Sequence, residues 1–313
     1  MHILITGGCG YTGTLLTNDL IKLGNKVTVI DTQWFGNYLL PKKNLKIIKL
    51  DIRNYKKIPL KGVDTVIHLA NIANDPSVEL NPKLSWEVNV LATQQLIERA
   101  INNKVKQFLY ASSGSVYGVK KEKQVTEDLS LLPISTYNKT KMITERVLKS
   151  YEKQIKFHCI RPATVCGYSP RMRLDVSVNM FVFQALKHKS MTIFGGNQIR
   201  PNIHIQDLVN VYKHFISHPD LPGGFYNAGF ENLKIIDIAK KVAKVIPSKI
   251  IIKKNNDIRS YRQDSQKLLS TGFVKKFSVS DAISEIKQNF EKKKFKVLDS
   301  CFTVKWMKKK KIK

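Results

Sequence analysis

The chain has 313 residues, 42% of them apolar, enough for one large domain or two smaller ones sharing a cleft. No apolar run approaches the ~20 residues of a membrane-spanning helix. "MHILITGGCG" has no basic leader and breaks at glycine, so no signal peptide and a cytoplasmic protein are expected. The formal net charge is +29. Lysine is spread along the whole chain, which fits a compositional bias. It is densest from Lys287 to Lys313, where eleven lysines meet only Glu291 and Asp299. That stretch reads as a basic tail suited to anionic surfaces. There is no zinc-finger spacing or aromatic RNA-binding signature beside it. The four cysteines form no Cys-x-x-Cys and no His-Cys cluster, so free thiols and no metal site are expected.

In chain order, "HILIT" (2–6) reads as a strand, followed by a helical period through Leu15, Leu16, Leu20 and Leu23 that ends at Gly24. "KVTVID" (26–31), "LKIIKLD" (45–51) and "VDTVIHLA" (63–70) read as strands. "SWEVNVLATQQLIERAINN" (85–103) reads as a long helix. "VKQFLYASS" (105–113) is a fifth strand, "TYNKTKMITERVLKSYEK" (136–153) a helix, and "KFHCIRPATV" (156–165) a sixth strand. Strands alternating with helices predict βαβ units and a parallel sheet. Beyond about residue 165 the pattern loosens. Helices are expected at about 175–188, 205–217, 235–246 and 279–290, with short strands between. The expected fold is α/β: a Rossmann-type doubly wound parallel sheet with a smaller C-terminal α/β substrate lobe. Its expected divisions are a dinucleotide-binding domain at 1–165, an interleaved substrate lobe at 166–291 and the basic tail at 292–313. "VLDSCFTVKW" within that tail has the pattern of a short strand.

"ITGGCGYTG" places Gly7, Gly10 and Gly13 between a strand and a helix. Glycine is needed where the backbone turns tightly and where a pyrophosphate must approach it, and the helix N-terminus then offers free N–H groups. Asp31 lies eighteen residues past Gly13, at the tip of the second strand. An acid there binds ribose hydroxyls and repels a 2′-phosphate, so the expected cofactor is NAD. At the end of the fifth strand stand Ser112 and Ser113. Tyr137 follows Ser113 by 24 residues, and Lys141 follows Tyr137 by four, on one helical face. An ammonium near a phenol favours the phenolate. Ser113, Tyr137 and Lys141 are therefore the candidate catalytic set.

These residues resemble the extended short-chain dehydrogenases/reductases, in the NAD-dependent epimerase/dehydratase branch that acts on nucleotide sugars. The resemblance runs over about residues 2–290 and rests on "TGGCGYTG", "LDIRN", "HLAN", "VNVLAT" with Asn89, "SSGSVYG", "YNKTK" and "RPATVCG". It implies cofactor contacts from Gly7, Gly10, Tyr11, Thr12, Gly13, Asp31, Asp51, Ile52, Leu69, Ala70, Tyr137 and Lys141. It implies substrate contacts from Ser112, Ser113, Asn179, Phe194, Arg200 and Arg259, the arginines gripping a diphosphate. It implies a homodimer through helices 85–103 and 136–153. Arg171 and Arg173 follow the sixth strand, where they reach sugar or phosphate or lie on a solvated loop. The family's dehydratases carry an acid just after the catalytic Ser or Thr, and its 3,5-epimerases a cysteine; here stand Gly114 and Ser115. That leaves simple redox at C4 of a nucleotide-diphosphate sugar. It ends either as a 4-epimerase, such as one for UDP-hexose, or as a net 4-dehydrogenase. "RPATVCGYSPRMRLD" looks like enzymes of bacterial surface-polysaccharide gene sets, including GDP-heptose 4-dehydrogenases. A non-catalytic dinucleotide sensor or RNA-associated protein is the alternative of another class. An intact Ser-Tyr-Lys set argues against it.

Overall fold

The computed structural model describes residues 1–254 and 260–312. Its strands are, in chain order, β1 (His2–Thr6), β2 (Lys26–Asp31), β3 (Leu45–Lys49), β4 (Thr65–His68), β5 (Gln107–Ala111), β6 (Lys156–Pro162), β7 (Thr164–Cys166), β8 (Ser190–Phe194), β9 (Ile199–His204), β10 (Gly224–Ala228), β11 (Glu231–Lys234) and β12 (Lys249–Lys253). Seven of them make one sheet in the order β10-β6-β5-β4-β1-β2-β3. Every pairing in it is parallel. Across β1 the register runs His2 to Lys26 on one side and Ile3 to Thr65 on the other. β1 is sealed on both faces, with Ile3, Leu4 and Ile5 all buried. That is why "HILIT" is a near-continuous apolar run rather than an alternating one.

Helices cover both faces. Leu16 and Leu20 of helix Tyr11–Lys22 pack with Val209 and Phe215 of helix Ile205–Ser217 on one side. Leu96 and Ile97 of helix Ala92–Asn102 pack with Leu148 of helix Thr136–Ser150 on the other. A third core joins helices Ser177–His188, Ile235–Val245 and Val279–Glu291. This lobe carries β9 between β7 and β11, and β12 paired with β8. The chain returns from the lobe to add β10 to the main sheet, so the two parts interleave.

Three elements differ from the sequence expectation. The helix expected at 85–103 begins at Pro82, capped by the Asn81 side chain. Residues Glu87–Leu91 form a π-helical turn before Ala92–Asn102 resumes the α-helix. Inside that turn the Asn89 amide accepts from Ile72 N at 2.8 Å and donates to Ile72 O at 3.2 Å. It thereby pins the loop after β4. The strand expected at 156–165 breaks after Pro162. Ala163 N turns to Ala228 O of β10 at 2.8 Å, and Thr164–Cys166 crosses to the lobe sheet. The segment "VLDSCFTVKW" is not a strand. It makes a 3-10 turn at Asp299–Cys301 and a helix at Thr303–Lys309. Nor is it a solvated appendage: Met307 is buried in the core beneath helices Ala92–Asn102 and Thr136–Ser150, and Trp306 Nε1 donates to Trp34 O at 2.6 Å. Apolar side chains spaced through the lysines anchor it.

Candidate active site

Beyond the carboxyl ends of the main strands, where open parallel sheets place ligands, lies a cavity of about 730 Å³. Its floor is the turn between β1 and helix Tyr11–Lys22. Gly7 has φ +74°, and a Cβ there would fall 2.6 Å from Ala70 N. A Cβ on Gly13 would fall 2.2 Å from Gly7 O. Both glycines are therefore dictated by the protein's own packing. Gly10 differs: a Cβ there would approach only Gly7 O, at 3.1 Å, and otherwise enter the cavity. Gly10 opens the helix with no side-chain cap, leaving the first N–H groups facing the cavity. This bare cradle fits a diphosphate.

Asp31 ends β2 at the rim. Its carboxylate accepts from Gln33 N at 2.7 Å and Cys9 N at 3.0 Å. Burial raises its pKa, and those two bonds and Arg171 oppose the rise. Asp51, Ile52, Leu69, Ala70 and Thr12 line the cavity. Asp51 itself is paired with Arg53 at 2.8 Å. Tyr11 also lines the cavity, while its hydroxyl is turned to Gly167 O at 2.7 Å. These residues fit an adenosine diphosphate running from Asp31 across the glycine turn.

Helix Thr136–Ser150 begins at Ser135, whose side chain accepts from Asn138 N. That start presents Tyr137 to the cavity beside Ser113, which hydrogen-bonds it. Burial pushes the Tyr137 phenol up to about 12, and the Ser113 bond works against the rise. Ser113 Oγ lies 2.8 Å from Ser115 Oγ, and Ser115 Oγ donates to Asn138 Oδ1 at 2.6 Å. Ser115 and Asn138 thus orient the serine. The sequence reading missed this role of Asn138, although its place next to Tyr137 is the signal. Lys141 sits one turn on, its Nζ 5.9 Å from the Tyr137 ring centroid. It faces inward, donating to Ala111 O at 2.6 Å and Tyr110 OH at 3.2 Å. Burial lowers its pKa to about 7.

Other sequence candidates fall differently. The Ser112 hydroxyl donates to Glu145 at 2.6 Å and is buried, so it braces the wall rather than reaching a ligand. Asn179 is likewise corrected from a substrate contact to an internal brace. It is fully buried, its amide bonding Gly167 N, Tyr11 OH and Arg173 O. Phe194 is 54% exposed at the end of β8 and does not line the cavity. Arg200 does line it, from β9. Arg259 lies outside the described residues. Arg171 and Arg173 are not on a solvated loop: both line the cavity, and Arg171 is 4% exposed.

Residues 3–229 match the family described as NAD dependent epimerase/dehydratase family. Over 262 residues the chain is 30% identical to a protein of Bacillus subtilis (strain 168) named Uncharacterized UDP-glucose epimerase YtcB. That match spans 78% of this chain and 82% of the relative. It is 27% identical over 297 residues to the UDP-glucose 4-epimerase of Lactobacillus helveticus, spanning 85% and 89%. Among solved structures, MoeE5 in complex with UDP-glucose and NAD superposes with a TM-score of 0.82 at 25% identity. It covers 93% of this chain and 99% of MoeE5. The chain belongs to the NAD-dependent epimerase/dehydratase family, and NAD is its cofactor.

Proposed function

We propose that this member of the family oxidises C4 of a nucleotide-diphosphate sugar, with Tyr137 as the base. The observation that carries the reading is the wall Ser113–Ser115–Tyr137 and what stands around it. Among the described residues the carboxylates lining the cavity are Asp31, Asp51, Asp75 and Asp175. Asp31 holds two backbone N–H groups, Asp51 holds Arg53, Asp75 holds Ser135, and Asp175 holds Arg173 and Thr303. Each already serves a protein partner, which argues against a role in eliminating water or protonating a leaving hydroxyl. Gly114 and Ser115 supply no acid either. A single proton acceptor beside a dinucleotide cradle supports carbinol oxidation and not dehydration.

NAD supplies the hydride acceptor. Tyr137 takes the proton of the 4-hydroxyl. Ser113, fixed through Ser115 and Asn138, orients the reacting oxygen. Lys141 places positive charge behind the phenol and steadies the phenolate. The product is a 4-keto sugar nucleotide. Released, it makes the enzyme a 4-dehydrogenase; reduced again on its opposite face, a 4-epimerase. The names of the two relatives favour UDP-hexoses. The "RPATVCGYSPRMRLD" resemblance makes a GDP-heptose of surface-polysaccharide synthesis the other first choice. We also infer a homodimer through helices Pro82–Asn102 and Thr136–Ser150; Trp86 and Leu91 are exposed on the first.

The test is NMR of UDP-hexoses, GDP-hexoses and a GDP-heptose, each incubated with the protein, with and without a 2-oxo acid as acceptor. A C4 epimer formed without acceptor makes it an epimerase. A 4-keto product exceeding the enzyme only with acceptor makes it a dehydrogenase. A 4-keto-6-deoxy product from any sugar would overturn the reading.

A further inference from the structure

Arg171 is a buried cation that the sugar chemistry leaves unused. Its guanidinium lies over the Phe35 ring at 4.4 Å, and its Nε and Nη1 have no hydrogen-bond partner. Beside it, Arg173 Nε donates to Asp175 Oδ1 at 2.9 Å while its Nη2 is buried and unpartnered. Two guanidinium groups facing one cavity with unused donors make a site shaped for an anion. Burial, with the neighbouring Arg173 charge, brings the Arg171 pKa down to about 10. A ligand anion would reverse that pressure.

Three sets of bonds fix where these donors stand. The loop that carries Arg171 is joined to the diphosphate cradle: Ser169 Oγ donates to Tyr11 O at 2.8 Å, and Tyr11 OH to Gly167 O at 2.7 Å. The same loop is joined to the C-terminal segment: Leu174 N donates to Cys301 O at 2.9 Å, and Thr303 N to Asp175 Oδ2 at 2.8 Å. That segment is joined in turn to the loop after β2, by Trp306 Nε1 to Trp34 O. Phe35, on which Arg171 rests, belongs to that loop. Phe302, Thr303, Val304 and Lys305 line the cavity between these joints.

We propose that Arg171, with Arg173 beside it, is a second clamp on the diphosphate of the dinucleotide, opposite the glycine turn, and that Asp299–Lys309 is the strap that holds the clamp in place. The sugar nucleotide also carries a diphosphate. The placement favours the cofactor: Arg171 acts electrostatically on Asp31 and stacks on the loop after β2, at the adenosine end of the cavity. The inference rests on NAD as cofactor and not on which sugar is oxidised.

The test is calorimetric binding of NAD, ADP, adenosine, UDP and GDP to the nucleotide-free full chain. Wild type, Arg171→Met and Arg171→Lys are compared. Arg171→Met is expected to weaken NAD and ADP by about tenfold to a hundredfold and leave adenosine unchanged, the range of lost charge-assisted hydrogen bonds. Arg171→Lys should recover part of the loss. Unchanged NAD affinity, or a loss confined to UDP and GDP, would overturn the assignment. Folding is read separately. Without ligand, Arg171→Met should melt at or above wild type, because an unpartnered buried charge is removed. A lower melting temperature with undiminished NAD affinity would make Arg171 a structural brace and sink the clamp. Trp306→Leu, which loosens the strap only, should speed NAD dissociation severalfold; an unchanged rate would overturn the strap.

Discussion

Arg161 grips Glu145 through two parallel hydrogen bonds, Nε to Oε1 at 3.0 Å and Nη2 to Oε2 at 2.7 Å, both residues almost fully buried. The pair stands behind the wall that carries Ser113. Glu145 Oε1 also accepts from Ser112, next to Ser113, and Arg161 Nη1 donates to Tyr117 OH at 2.6 Å. Arg161→Met should cost about 3–5 kcal/mol, because it strands a buried carboxylate. Arg161→Met combined with Glu145→Leu should recover much of that. Chemical denaturation of the three variants checks it; additive losses in the double variant would show that the charges do not act as a pair.

Tyr137→Phe keeps the ring and removes the hydroxyl proposed as the proton acceptor. Turnover on the sugar identified by NMR should fall by about 10²–10⁴ or more. NAD affinity should stay within about twofold, since the rest of the cradle is intact. Single-turnover kinetics and calorimetry together decide; parallel loss of both would move Tyr137 from chemistry to binding.

Lys141 carries a pH signature. Unfolded, its ammonium has the ordinary value near 10.5; folded, burial brings it to about 7. Between those values the unfolded chain holds the extra proton, so this group's contribution to stability rises as pH rises and is lost as pH falls toward 7. Lys141→Met removes the dependence. The variant's melting temperature should gain on wild type at about pH 6 and lose that advantage by about pH 10. A pH-independent difference would contradict the placement of the ammonium.

The glycines separate packing from binding. Gly13→Ala drives a methyl to 2.2 Å from Gly7 O and should destabilise the fold by about 1–3 kcal/mol or more. Gly10→Ala meets only Gly7 O at 3.1 Å, so its melting temperature should change little. Its NAD affinity should fall, since the methyl enters the cradle. Thermal melts and NAD titration of both variants check the contrast; equal effects on both readouts would merge the two roles.

The glycine turn, Asp31 and the Ser113–Tyr137–Lys141 set were legible because each depends on spacing along one strand–turn–helix unit. Apolar runs of β1, β2 and β4 announced a sheet buried on both faces. Asn179 and Ser112 misled because type and position do not reveal which way a side chain turns: both bond inward, to Gly167 and Glu145. Arg171 was readable as a cation but not as a buried one, since what covers it comes from Phe35 and from the far end of the chain. The segment after Leu298 hid its anchors among lysines. Met307 is buried in the core and Trp306 is bonded to Trp34 O, yet the charge density around them suggested solvent.

The π-helical turn at Glu87–Leu91 amounts to one surplus residue threaded into a helix that otherwise runs from Pro82 to Asn102. Deleting a single residue there would restore regular winding and leave every strand of the sheet in place. Because the surplus residue is absorbed within that one turn, all that precedes it would keep its angle to all that follows. Leu84 and Leu96 would keep their present neighbours, and only the turn that carries Asn89 would be rebuilt. The loop from Leu69 to Asp75, held at Ile72 by Asn89, would lose its anchor while the main sheet stayed whole. An alignment that closes a one-residue gap in this helix would therefore compare enzymes whose cavity walls are fastened differently.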